Sequence, residues 1–129
     1  MKKVINFWLK SAKENFKTAK AMYKTKRWSF VFFMCQQTVE ALLKMIYIVK
    51  KKEPAPFLHS LSQLAVRCEL DLPDEIAEFL SSLSRHYIET RYMNERFNKN
   101  IFNEKTATEI IKSTEKVMKW LIREEKLRM

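Results

Sequence analysis

Between Phe33 and Tyr47 the chain sets Gln36, Gln37, Glu40 and Lys44 about one helical turn apart, inside an otherwise apolar run from Trp28 to Val49. Two carboxamides, a carboxylate and an ammonium among such neighbours must be hydrogen-bonded, because an unpaired buried polar group costs roughly 1–3 kcal/mol. The partner is another helix, a second subunit or a ligand. A second cluster reads Tyr87-Ile88-Glu89-Thr90-Arg91-Tyr92. Tyr87 and Arg91 share a helix face; an arginine between tyrosines can clamp a phosphate while a ring stacks on a base. It can equally pair with Glu40 or Glu95 and hold helices together.

The two histidines offer less. His59-Ser60-Leu61 follows a proline-containing loop, so His59 is either a ligand or base contact at a helix start or, with Ser60, a cap that pins the loop. His86 follows Arg85 near the expected end of a helix, where a cationic side chain suits the negative pole. No triplet of His, Cys and carboxylate has the convergence a zinc site needs, and nothing points to a Ser-His-Asp set. A glycine-rich phosphate cradle is impossible, since the chain has no glycine. No metal or cofactor is expected. Cys35 and Cys68 read as two buried thiols acting as small hydrophobes.

These residues have to be carried on helices. With no glycine and only three prolines in 129 residues, the tight turns of a hairpin sheet lack the residues that supply them. The periodicity predicts a first helix over about 4–24, with Trp8, Leu9, Ala12, Phe16, Ala19, Met22 and Tyr23 inward and Lys10, Lys13, Lys17, Lys20 and Lys24 opposite. A second runs over about 28–50. Pro54 and Pro56 break the pattern before a short helix from His59 or Ser60 that uses Leu61, Leu64, Ala65 and Cys68. The next is expected with Asp71 as cap and Pro73 in its first turn, through Ile76, Phe79, Leu80 and Leu83 to Tyr87 or Thr90. Residues 91–103 are irregular, and a last helix spans about 103–126. The expected architecture is all-α: a single domain over 1–129, an up-and-down four-helix bundle with an additional short helix.

Charge is concentrated. Residues 1–52 carry a net +11 and residues 53–129 a net −1, so the whole excess of +10 sits on the first half. Such a face recruits nucleic acid or anionic surfaces by counterion release; a lysine-rich solvated helix is the plainer alternative. No stretch reaches eighteen uninterrupted apolar residues and the start is not a signal-peptide core, so the expectation is a cytoplasmic protein.

Taken together, Trp28 with Phe32 to Lys44 (FFMCQQTVEALLK), His59-Ser60-Leu61 with Leu64, and Tyr87 to Tyr92 resemble the HEPN domain family in order and spacing over nearly the whole chain. The resemblance implies a helical bundle that forms a homodimer, with polar residues near the subunit junction. It further implies a small nucleotidyltransferase as partner, often in a toxin-antitoxin pair. Many members are metal-independent ribonucleases in which an Arg is followed four to six residues later by a His that moves a proton while the Arg stabilises phosphate charge. Here Arg91 is followed at those spacings by Glu95, Arg96 and Phe97, with Asn98 next, and His86 precedes it. The resemblance therefore implies a nucleotide- or RNA-binding module with Gln37, Glu40, Lys44, Arg91 and Tyr92 as ligand contacts, Tyr92 being a position a partner could modify. The alternatives are a ribonuclease using Arg91 with His59 or His86, and a structural dimer in which Gln36, Gln37 and Glu40 satisfy each other across an interface.

Overall fold

The computed structural model describes residues 2–92 and 101–128, with side chains over 2–86 and 101–124. Among the described residues five helices follow one another: α1 (Lys2–Lys24), α2 (Trp28–Lys51), α3 (Leu61–Arg67), α4 (Asp74–Tyr92) and α5 (Glu104–Arg128). Among the described residues there is no strand, and the expected all-α class is the observed one.

α2 is the axis of the fold and packs against each of the other four helices. From Val31 to Ile48 only Phe33, Met34 and Gln37 escape full burial. With the other helices packed around it, only that narrow strip of the span reaches solvent, which is why its composition is so largely apolar. By length and composition α2 would also suit a membrane span, yet 83% of its apolar window lies inside the bundle. α1 approaches it closely because Ala12 and Ala19, both fully buried, flank Phe16 on the contact face. Lys10, Lys13, Lys17, Lys20 and Lys24 are all exposed, as the pattern predicts.

Turns are closed without glycine. After α1 the Arg27 amide donates to the Met22 carbonyl (2.9 Å) and the Lys26 amide to that of Tyr23 (3.1 Å), a Schellman closure with Lys26 at φ 62°. α3 ends the same way: the Leu70 amide donates to Ala65 (3.3 Å), the Glu69 amide to Val66 (2.9 Å), and Glu69 sits at φ 56°. Lys52 closes α2 at φ 55°. Each places an L-residue where only glycine is unstrained.

Helix starts follow their caps. The Ser60 hydroxyl accepts from the Gln63 amide (3.3 Å), and Ser84 of α4 accepts from the Leu61 amide (3.0 Å), tying α3 to α4. Asn103 Oδ1 accepts from the Thr106 amide (2.9 Å), and Thr106 Oγ1 accepts from the Asn103 amide (3.1 Å), a reciprocal box at the head of α5. The expected cap of α4 needs correction. The Pro73 carbonyl accepts from the Ala77 amide (3.0 Å), so Pro73 occupies the cap position and Asp71 lies too far upstream to reach the first turn.

Candidate functional site

The polar residues of α2 converge with the loop before α3. Glu40 and Lys44, 6% and 8% exposed, are one turn apart, and Lys44 Nζ donates to Glu40 Oε2 at 3.0 Å. Glu40 Oε1 meets His59 Nδ1 at 3.1 Å, although the two are nineteen positions apart in sequence. The Lys44 ammonium also lies 5.5 Å from the centre of the Trp8 ring, a cation–π contact from α1. A carboxylate this buried is held by two donors, as physical chemistry requires.

Of the two readings the sequence left open for this loop, the pinning one is seen directly. Ser60 makes the cap, while the His59 ring turns back to Glu40 and the His59 carbonyl accepts from Gln36 Nε2 at 2.7 Å. The His59 side chain is still 63% exposed. A buried carboxylate on Nδ1 fixes the orientation of an imidazole that otherwise faces solvent, the arrangement that positions a histidine for proton transfer or for a directed hydrogen bond. Within this chain Glu40 meets Lys44 and His59, and Gln36 reaches the His59 carbonyl through its amide nitrogen. The carboxamide oxygens of Gln36 and Gln37 remain shut off from solvent without a partner among the described residues.

His86 does not sit at a helix end. α4 continues to Tyr92, which leaves His86 more than a turn from the terminus. Its ring packs edge-on to Phe32 (centroids 5.2 Å) and Phe102 (6.3 Å), an aromatic cluster joining α2, α4 and the segment before α5. Arg91 and Tyr92 are in the last turn of α4, and their side chains lie outside the described residues, as do Glu95, Arg96, Phe97 and Asn98.

Both cysteines are free and buried. Burial pushes the Cys35 thiol up to about 12, partly opposed by the Thr114 hydroxyl beside it, which makes it an inert hydrophobe rather than a nucleophile. At the far end of α2 the Tyr47 hydroxyl donates to Glu53, and that hydrogen bond holds the phenol above its ordinary value. Lys51 pairs with Glu69 at 2.6 Å and is likewise raised. Among the described residues no cluster of His, Cys and carboxylates is set to hold a metal ion.

A family model for the HEPN domain matches residues 5–126. The chain belongs to the HEPN family. Two solved structures share the HEPN-like fold seen here. TT1696 from Thermus thermophilus superposes with a TM-score of 0.77 at 21% identity, covering 94% of this chain and 97% of its own. ST0689, an archaeal HEPN homologue, gives a TM-score of 0.77 at 20% identity with the same coverages. No curated protein sequence matches the chain. In this HEPN domain the structure brings together Gln36, Glu40, Lys44 and His59 of the residues the sequence singled out, and sets beside Lys44 the Trp8 ring, whose amphipathic position marked it only as core. Thr108 and Lys112, which the sequence did not single out, line a groove with Tyr23 between α1 and α5.

Proposed function

We propose that this HEPN domain is an RNA- or nucleotide-binding module rather than a nuclease of the family's usual kind. The observation that carries the reading is the row of exposed lysines along α1. Lys10, Lys13, Lys17, Lys20 and Lys24 are spaced three or four residues apart over fourteen positions, or about 21 Å of helix. The described ion pairs on the row, Lys17 with Glu14 and Lys20 with Glu115, are both 3.9 Å apart and solvent-exposed. Pairs of that kind are worth little and yield to a polyanion, whose condensed counterions are released on binding. The missing histidine after Arg91 supports binding without cleavage. Arg91 and Tyr92 form the second proposed contact region, where an arginine fork takes phosphate and a tyrosine stacks, whereas Glu40 and Lys44, buried against each other, are closed to a polyanion.

The resemblance adds a homodimer, a small nucleotidyltransferase as partner in a toxin-antitoxin-type pair, and a cytoplasmic setting. Val4, Phe7 and Phe30, 46%, 60% and 52% exposed on α1 and α2, support a protein-protein contact on those helices. Total cellular RNA, end-labelled and run with the protein in metal-free buffer at two salt concentrations, tests the proposal. A shift that weakens with salt and leaves the RNA intact is expected; no shift at low salt refutes it.

One observation favours a second reading, a metal-independent ribonuclease. The Glu40 contact to His59 Nδ1 supplies an oriented, solvent-facing imidazole, whereas His86 is packed between phenylalanines. That reading requires cleavage that leaves a 2′,3′-cyclic phosphate and is lost in both Arg91→Ala and His59→Ala.

A further inference from the structure

The lysine row runs at its C-terminal end into a groove between α1 and α5, about 310 Å³ in volume and lined by Lys20, Tyr23, Lys24, Thr108, Ile111 and Lys112. Its floor is apolar and aromatic; its rim carries three ammonium groups from two different helices. We infer that this groove is a subsite for one unpaired nucleotide, in which a base lies against Tyr23 and Ile111 while the adjoining phosphates pair with Lys20, Lys24 and Lys112. The inference deepens the RNA-binding reading and rests on it: it makes the preferred ligand single-stranded.

Three features support that occupant. The volume is at the small end of ligand sites, enough for a base and its sugar rather than for a peptide helix. The Tyr23 hydroxyl is tied to Thr108 Oγ1 at 2.7 Å and its ring meets Trp28 edge-on at 5.4 Å, so the platform is held rigid before any ligand arrives. Finally, the apolar floor sits directly among the cations, the combination by which single strands are gripped through both base and backbone. A duplex keeps its bases stacked inside and offers this floor nothing. A flat anionic bilayer would meet the lysines and leave the concavity unfilled.

The test is fluorescence anisotropy with a labelled twelve-nucleotide mixed-sequence RNA, single-stranded and as its duplex, on the full chain. Lys112→Gln removes a rim charge, Lys119→Gln removes the same charge elsewhere on α5, and Thr108→Phe fills the groove without changing charge. Losing a stacked base predicts that Thr108→Phe weakens the single strand about fivefold or more with an unchanged salt slope. Lys112→Gln is expected to lower that slope by about 0.7, one phosphate contact, with Lys119→Gln near wild type. Equal effects of the two lysine changes, an indifferent Thr108→Phe, or a duplex bound as tightly as the single strand would overturn the subsite while leaving the α1 row in place. No binding of either RNA by the wild-type chain would remove the RNA reading itself. Displacement of the RNA by phosphatidylserine vesicles, with a retained Thr108→Phe response to vesicles, would reassign the face to a membrane surface and also overturn the subsite.

Discussion

The ion pair inside α2 is the sharpest physical commitment of this fold. Lys44 and Glu40 are 8% and 6% exposed and 3.0 Å apart, and the only other described contacts on the pair are His59 at 3.1 Å and the Trp8 ring at 5.5 Å. Glu40→Ala leaves the ammonium under Trp8 without a counter-charge and releases the His59 ring from its anchor. Removing one member of a buried pair costs about 3–5 kcal/mol, against about 0.2–1 kcal/mol for an exposed pair. In a domain of this size that is a fall in Tm of roughly 10 °C or more. Glu40→Met with Lys44→Met removes both charges at near-constant volume and is expected to recover most of the loss, because no charge is then stranded. Urea unfolding followed by helical circular dichroism, at one protein concentration for all variants, measures the cycle. A Glu40→Ala cost below about 1 kcal/mol, additive with Lys44→Ala, would show the pair to be solvated and would refute the assignment of these groups to the interior.

Other consequences follow from the geometry. Lys26→Gly relieves a left-handed residue in a Schellman closure and should raise stability by about 1 kcal/mol, read as a higher urea midpoint; an unchanged or lower midpoint would contradict it. Asn103→Ala removes the cap of α5 and should cost about 1 kcal/mol, with no change indicating that the reciprocal bond to Thr106 is not made in solution. The Cys35 thiol stays protonated to about 12 in the folded chain but titrates near 9.0 when unfolded. The stability contributed by the neutral thiol is therefore complete below pH 9 and lost as pH rises toward 12. At pH 10.5 this amounts to about 2 kcal/mol, a loss that Cys35→Ala does not suffer. Parallel alkaline loss in wild type and variant would place that thiol in contact with water.

The all-α class was legible because a chain without glycine leaves few ways to turn except between helices, and the 3.6-residue periodicity of α1, α2 and α5 set their limits to within a few residues. Ser60 and Asn103 announced their helices through local side-chain chemistry. Pro73 did not, because a proline is compatible both with the cap position and with the first turn. The polar site was legible only as a requirement: Glu40 needed a partner, and Lys44 stood one turn away. That His59 would supply the second contact depends on how the loop before α3 folds back, a long-range fact without local signature. The surroundings of His86 had no local signature either, since the cluster around it draws Phe32 and Phe102 from distant parts of the chain. The groove between α1 and α5 was invisible because Tyr23 and Lys112 are joined only by helix packing.

An RNA backbone held by the α1 lysines would show itself most directly in the salt dependence of RNA affinity. Wild type should lose affinity steeply as salt rises, and replacing Lys13, Lys17 and Lys20 together by Gln should flatten the slope of log K against log salt by about 2, three single-strand phosphate contacts. A slope unchanged by the three substitutions, or an affinity indifferent to salt, would contradict it.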